Sequence, residues 1–353
     1  PVRDGPPRPA LVCLHVGLPL IPFRRSVAPA PRGSQPTGRP VAERGTRLCV
    51  DPAPALVGQG GPSRAGGDGM TGRDSAERDS PVRDSPDLAA AEHAEIEERS
   101  APRATIVHEV VRKQGQEELA RPAGSLFWSS VAAGIAITAS VIAQGALYHK
   151  LPAGMGGRTL VAQLGYPLGF LIVILGRMQL FTEQTIVTVL PLVTRPSGRA
   201  LAGTARLWGI VLLGNLVGAG AAAAIETWGG VVSPDLLAAM QAVSRESLLH
   251  KAPSDLLLRG IPAGFLIAAV AWLRAASSGG EAWIVFLLTF AIVLGDFTHV
   301  VAGAAEAFLL LCAGEAGPGE VFGGMILPAL VGNVIGGTGL FALLAHAQVR
   351  QEL

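Results

Sequence analysis

Two short stretches of this chain place groups that can exchange protons or hold small ions inside otherwise apolar sequence. In "VLGDFTHVVAGAAEAF" the polar set is Asp296, Thr298, His299 and Glu306. In "LGRMQLFTEQTIVTVLP" it is Arg177, Gln179, Thr182, Glu183, Gln184 and Thr185. Histidine is the side chain that exchanges protons near neutral pH. At the centre of a bilayer a charged residue costs at least ~2.5–3.5 kcal/mol, so such clusters face protein or a water-filled cavity. The chemistry these types suit is the passage of a small weak acid, which escapes most of the desolvation cost by crossing neutral. No Ser/His/Asp set, metal cluster or nucleotide loop is present. Cys13, Cys49 and Cys312 lack metal-ligand or CxxC spacing. An enzyme, a bound metal and a cofactor are therefore not expected.

The elements that must position these residues are membrane spans. Of 353 residues, 49% are hydrophobic and 16% charged, where a soluble domain carries about 25% charged. A net charge of +1 and the lack of a dense Lys/Arg run give no sign of a nucleic-acid partner. Six apolar stretches follow residue 125: Leu126–Tyr148, Leu160–Val193, Leu207–Trp228, Leu256–Leu273, Trp283–Cys312 and Val321–His346. The second and fifth are too long for simple spans and hold the polar clusters, with Gly176, Gly295 and Gly303 beside them. The predicted fold is all-α, a polytopic membrane protein of six transmembrane helices whose second and fifth spans are broken.

The two halves resemble each other. Phe-Thr occurs in both interruptions, at Phe181-Thr182 and Phe297-Thr298, and "GNLVG" and "GNVIG" follow some 33–35 residues later. Three spans per half makes this an inverted repeat, and matched broken helices point to a midplane site. Asn215 and Asn333 are expected to cap or bridge the broken helices. Asp296 and Glu183 are expected to hold the loops through backbone amides or Arg177, a role as proton-relay acids being the alternative. The Gly and Ala faces around Asn215 read as helix-packing surfaces. The Lys/Arg bias modestly favours both termini on the cytoplasmic side: Arg103, Arg112, Lys113, Arg121, Arg195, Arg199, Arg206, Arg274 and Arg350 within, against Lys150, Arg158, Arg245, Lys251 and Arg259 without.

Residues 1–100 read as a disordered, Pro- and Arg-rich N-terminal extension. Met70 follows Gly66-Gly67-Asp68-Gly69, so residues 1–69 are read as translated upstream sequence, a signal peptide over Arg8–Phe23 being the alternative. Residues 101–121 are expected to form an amphipathic helix on the cytoplasmic surface, with Ile106, Val107, Val110 and Val111 on one face. Residues 126–346 form the six-span domain and 347–353 a short C-terminal tail.

"LFTEQTIVTVLP", "LWGIVLLGNLVGA", "GDFTHVVAGAAEAF" and "LVGNVIGG" resemble, in order and over Leu126–His346, the formate/nitrite transporter family, in its branch with Phe-Thr-Glu in the second span. The resemblance implies an aquaporin-like protomer with its own pore and a homopentamer in a bacterial inner membrane. Small monovalent anions, with protons and membrane lipids, would be its partners. His299 matches the family's central pore histidine and Thr182 the loop threonine that approaches it. Tyr166, Phe170 and Phe297 resemble the aromatic constrictions. The fourth span departs from the pattern: Gly264 stands where an Asn is usual, and Lys251, one turn nearer to it, is an anion-attractor candidate. Two other readings remain open: a passive channel for small neutral solutes, and a membrane sensor or enzyme.

Overall fold

The computed structural model describes residues 102–352, and every regular element among them is a helix. The expectations for residues 1–100 lie outside the described residues. Helix α1 (Ala104–Ala120) precedes the bundle. Then come α2 (Ala123–Lys150), α3 (Arg158–Leu175), α4 (Phe181–Val187), α5 (Val189–Thr194) and α6 (Gly198–Trp228). The second half has α7 (Pro234–Ser244), α8 (Pro253–Ala276), α9 (Glu281–Leu294), α10 (Val300–Cys312) and α11 (Glu320–Val349). Five of these are long and apolar enough to cross a membrane, and α9 with α10 makes the sixth passage as two shorter apolar helices. Trp128, Trp228 and Trp283 stand exposed near helix ends, where aromatic belts form at a membrane interface.

Local sequence explains where the spans stop. Ser197 caps α6 by accepting from Ala200 N at 3.1 Å, and Ser233 caps α7, with Pro234 at its first position. His149 and Lys150 close α2 at its negative end. Small residues then bring the spans together. A Cβ on Gly134 would lie 2.1 Å from the carbonyl of Asn215, and one on Gly264 2.2 Å from that of Asn333. Gly264 is thus a contact point between α8 and α11, with no room there for an Asn side chain.

The two broken spans are built alike. At the end of α3, Gly176, Arg177 and Met178 turn their N–H groups back onto Ile172, Ile174 and Val173. At the end of α9, Gly295, Asp296 and Phe297 do the same onto Ala291, Val293 and Ile292. This helix stop puts one residue in the left-handed region, usually glycine. Here Arg177 (φ 55°) and Asp296 (φ 54°) occupy it, a conformation that costs roughly 1–2 kcal/mol for an L-residue. The chain then runs extended through Leu180 (φ −105°, ψ 124°) and His299 (φ −99°, ψ 127°), and a new helix begins at Phe181 and Val300.

Two asparagines satisfy the backbone at these breaks. Asn215, near the middle of α6, accepts from Phe181 N at 2.9 Å and donates to Gln179 O at 2.8 Å and Ser130 O at 2.9 Å. Asn333, near the middle of α11, accepts from Val300 N and donates to Thr298 O and Gly260 O, each at 2.8 Å. These bonds place both breaks at mid-depth and fix the register of the repeat. Leu180 corresponds to His299, and Phe181 to Val300. The Phe-Thr pairs of the sequence are therefore not equivalent positions, and their likeness is a coincidence three residues out of register.

The ion pairs at the turns differ from expectation. Glu183 is bound by Arg274 at 3.1 Å, both side chains nearly buried, rather than by Arg177. Arg274 also holds Glu281 at 2.9 Å, while Arg177 reaches Glu281 only at 4.0 Å. Helix α1 packs against one end of the bundle through Val107, His108, Val111 and Gly115, leaving Ile106 and Val110 exposed. A Cβ on Gly115 would meet the carbonyl of Val187 at 1.9 Å. Near its end, Glu118 accepts from Gln179 of the first break at 3.0 Å. Buried His108 lies 3.2 Å from His346 of α11.

Three outcomes are expected. Asn333→Ala leaves the buried Val300 N–H and Thr298 carbonyl at the break without a partner, each worth roughly 1–3 kcal/mol, and should sharply lower the thermal midpoint of the purified protein. Arg274→Ala strands the buried Glu183 carboxylate, a loss of about 3–5 kcal/mol, whereas Arg177→Ala should shift the same midpoint little. Burial, and then the His346 charge, hold His108 below its ordinary value. The undocked form takes up the proton first, so the docking of α1 is complete above about pH 6.5 and weakens as pH falls below it. Hydrogen exchange along α1, corrected for intrinsic rate, should be faster at about pH 5.5 than at about pH 7.5, and His108→Leu should remove the difference.

Candidate functional site

The breaks bring His299 and Thr182 together. The extended backbone of the second break makes His299 the cap residue of α10, and its Nδ1 accepts from Ala302 N at 3.2 Å. An Nδ1 that accepts carries no hydrogen, so in this arrangement the ring proton is on Nε2. Nε2 lies 2.7 Å from Thr182 Oγ1, in the first turn of α4, and donates to it. Thr185 donates to the Thr182 carbonyl at 2.7 Å and offers its own carbonyl to Thr338 of α11 at 2.7 Å. Thr182 and His299 are both almost fully buried.

Aromatic rings press on this pair from α3. Phe170 meets the imidazole edge-on, with centroids 4.9 Å apart at 78°, and Tyr166 lies 5.1 Å from Phe170. Ser140 of α2 fixes this stretch, donating to Tyr166 O at 2.5 Å and accepting from Gly169 N at 3.0 Å. Gly169 is required there, since a Cβ would lie 2.5 Å from the Ser140 hydroxyl.

A cavity of about 200 Å³ opens on one side of the pair, and Tyr166, Phe297, Thr298, His299 and Glu306 are among its lining residues. A smaller one of about 80 Å³ lies towards the other end of the bundle, lined by Gln114, Arg177, Glu183, Arg274 and Glu281. Thr182 and Phe170 are buried and line neither cavity.

Of the residues singled out in the sequence, His299, Thr182, Tyr166 and Phe297 come together here. Phe170 touches the histidine but does not line the cavity. Lys251 does not stand as a free cation. Its Nζ lies 2.5 Å from Asp296 Oδ1, and Arg259 binds the second oxygen of the same carboxylate. Asp296 is thus held by two cations, not by backbone amides or Arg177. Arg259 was missed, although Arg259, Lys251 and Asp296 are the charges flanking the fourth span and the second break at one end of the bundle. Gln144 was missed too. It lines the larger cavity from α2, with an Nε2 that has no hydrogen-bond partner, and a single Gln in an apolar span gave its only signal.

Comparison with known proteins agrees with this architecture. The family model "Formate/nitrite transporter" matches residues 105–347. The inner membrane protein YfdC of Escherichia coli (strain K12) is 37% identical over 257 residues, covering 73% of this chain and 82% of that protein. The uncharacterized transporter YrhG of Bacillus subtilis (strain 168) is 26% identical over 254 residues, covering 68% and 92%. Among solved structures, a pentameric formate channel with formate bound aligns with a TM-score of 0.56 at 20% identity, covering 65% of this chain and 98% of that one. An ion channel described as belonging to the FNT family aligns at 0.57 and 19%, covering 69% and 98%. With its family model spanning more than half of its length and its broken second and fifth spans, this multi-pass membrane protein belongs to the formate/nitrite transporter family.

Proposed function

We propose that the chain carries small monovalent anions of weak acids, of the size of formate or nitrite, across a bacterial inner membrane with proton exchange at His299. The observation that carries this reading is the bonding of His299: Nδ1 accepts from Ala302 N while Nε2 donates to Thr182, between two cavities. A bare anion at this constriction would lose its water without recompense. The Nε2–H is a donor such an anion can use in place of the Thr182 oxygen, and the N-terminus of α10 adds positive potential beside it. For His299 to give up the Nε2 proton, Nδ1 must gain one, which breaks the Ala302 bond. A proton can thus cross the ring with the substrate, and the substrate passes as the neutral acid. Thr182 orients the ring, and Tyr166 and Phe297 narrow the approach from the larger cavity.

The pentameric formate channel to which this fold is similar supports a homopentamer in which each protomer has its own path, surrounded by lipid. The Lys/Arg bias supports cytoplasmic termini and, with them, a larger cavity that faces the outer side. A passive channel for neutral solutes has no use for a capped, proton-bearing ring at its narrowest point.

Proteoliposomes should show saturable formate and nitrite flux above empty liposomes over roughly pH 5 to 8, the range in which histidine titrates. No flux through intact oligomers would sink the reading. In His299→Asn the amide oxygen can still cap α10, so assembly should persist. Flux should fall on the order of tenfold to a hundredfold, the scale of a lost proton-transfer group, and its maximal rate should lose its pH dependence.

A further inference from the structure

The outer chamber holds groups that the His299–Thr182 pair does not use. Glu306 lies seven residues after His299 on α10, two turns along the same face, and lines the chamber with only 5% of its surface exposed. It makes no ion pair among the described residues. Gln144 lines the chamber from α2, is 2% exposed, and has an Nε2 without an acceptor. A buried donor of this kind calls for a partner that the protein itself does not supply. The other titratable groups on the chamber wall are Tyr148, Tyr166, Glu246, Asp296 and His299, and no Lys or Arg is among its lining residues. Lys251 and Arg259 sit behind Asp296, which already pairs with both. An anion entering alone therefore meets carboxylates rather than a free cation.

We propose that Gln144 and Glu306 form an outer binding site for a small oxyanion together with one proton. Gln144 Nε2–H donates to one oxygen of the ligand, and Glu306 shares the proton with another. The proton balance is the same by either route: ionised Glu306 with the neutral acid, or protonated Glu306 with the anion, gives one complex holding one proton. Ionised Glu306 with the bare anion is repelled. The site deepens the weak-acid reading above and rests on it. It holds the substrate and one proton together ahead of His299, where the ring takes over the donor role from Glu306, and it discriminates against chloride, a single atom that cannot span Gln144 and Glu306 and shares no proton.

The test is the KM for formate in proteoliposomes across roughly pH 5.5 to 8. In the wild type, KM expressed as total formate should rise with pH, approaching about tenfold per unit, because one proton must be bound with each ligand. In Glu306→Gln the amide donates to the anion at any pH, so KM should become independent of pH while the maximal flux still varies with pH through His299. Gln144→Leu should raise KM several-fold at every pH and keep the slope. Chloride should not compete with formate in the wild type, a readout that needs no variant. A Glu306→Gln protein with the wild-type KM slope, a wild-type KM that ignores pH, or chloride competing as well as formate would each overturn the site while leaving transport intact. Wild-type oligomers that carry neither formate nor nitrite would overturn the transport reading, and the site with it.

Discussion

A backbone N–H or C=O at the centre of a bilayer has no water to bond, so any break in a spanning helix must be repaired from within the protein. This chain breaks two spans at mid-depth and repairs both with one device. Asn215 and Asn333 each contribute one acceptor and two donors to three backbone groups. An amide side chain is suited to this, because it is uncharged and carries both a donor and an acceptor. The device also requires close approach of the carrying helix. Gly214 and Gly218 let α6 rest on the backbone of α2, and Gly332 and Gly336 let α11 rest on that of α8. Larger residues there would pull the asparagines out of reach, and the extended segments that present His299 would lose their support.

The residues that turn the chain back carry opposite charges at opposite ends of the bundle. Arg177 and Asp296 both tolerate a left-handed backbone where glycine would be unstrained. Asp296 justifies the strain by joining α9 to Lys251 and Arg259. Arg177 has only a distant contact with Glu281, and the first break is instead secured by Arg274 on Glu183 and by Glu118 of α1 on Gln179. The clamp on Asp296 has an electrostatic consequence: it occupies Lys251 and Arg259 with one carboxylate, and no Lys or Arg is among the described residues that line the larger cavity.

The spans, their two interruptions and the repeated asparagines were legible in the sequence, because hydropathy and a spaced motif are local signals. The alignment of the two halves was not. Phe181-Thr182 and Phe297-Thr298 match as letters, yet the bonds from Asn215 and Asn333 pair Leu180 with His299. The partners of Glu183 and Lys251 were equally hidden, since Arg274 and Asp296 lie 91 and 45 residues away and no spacing rule connects them. Helix α1 was recognised by its period, but its packed face was set by Gly115 against Val187 and by His108 beside His346, contacts with elements far along the chain.

The corrected register also locates the asymmetry on which the proposed chemistry depends. The scaffold of turn, extended segment, half-helix and asparagine is nearly the same in both halves. The side chains it presents are not. His299 and Glu306 on the second half correspond to Leu180 and Val187 on the first, so the groups able to hold a proton follow one another along α10 only. Val187 instead lies under α1, its carbonyl in contact with Gly115. With Leu180 at the matching position, Thr182 in the first turn of the facing half-helix is the acceptor for the His299 Nε2–H, while Ala302 N holds Nδ1.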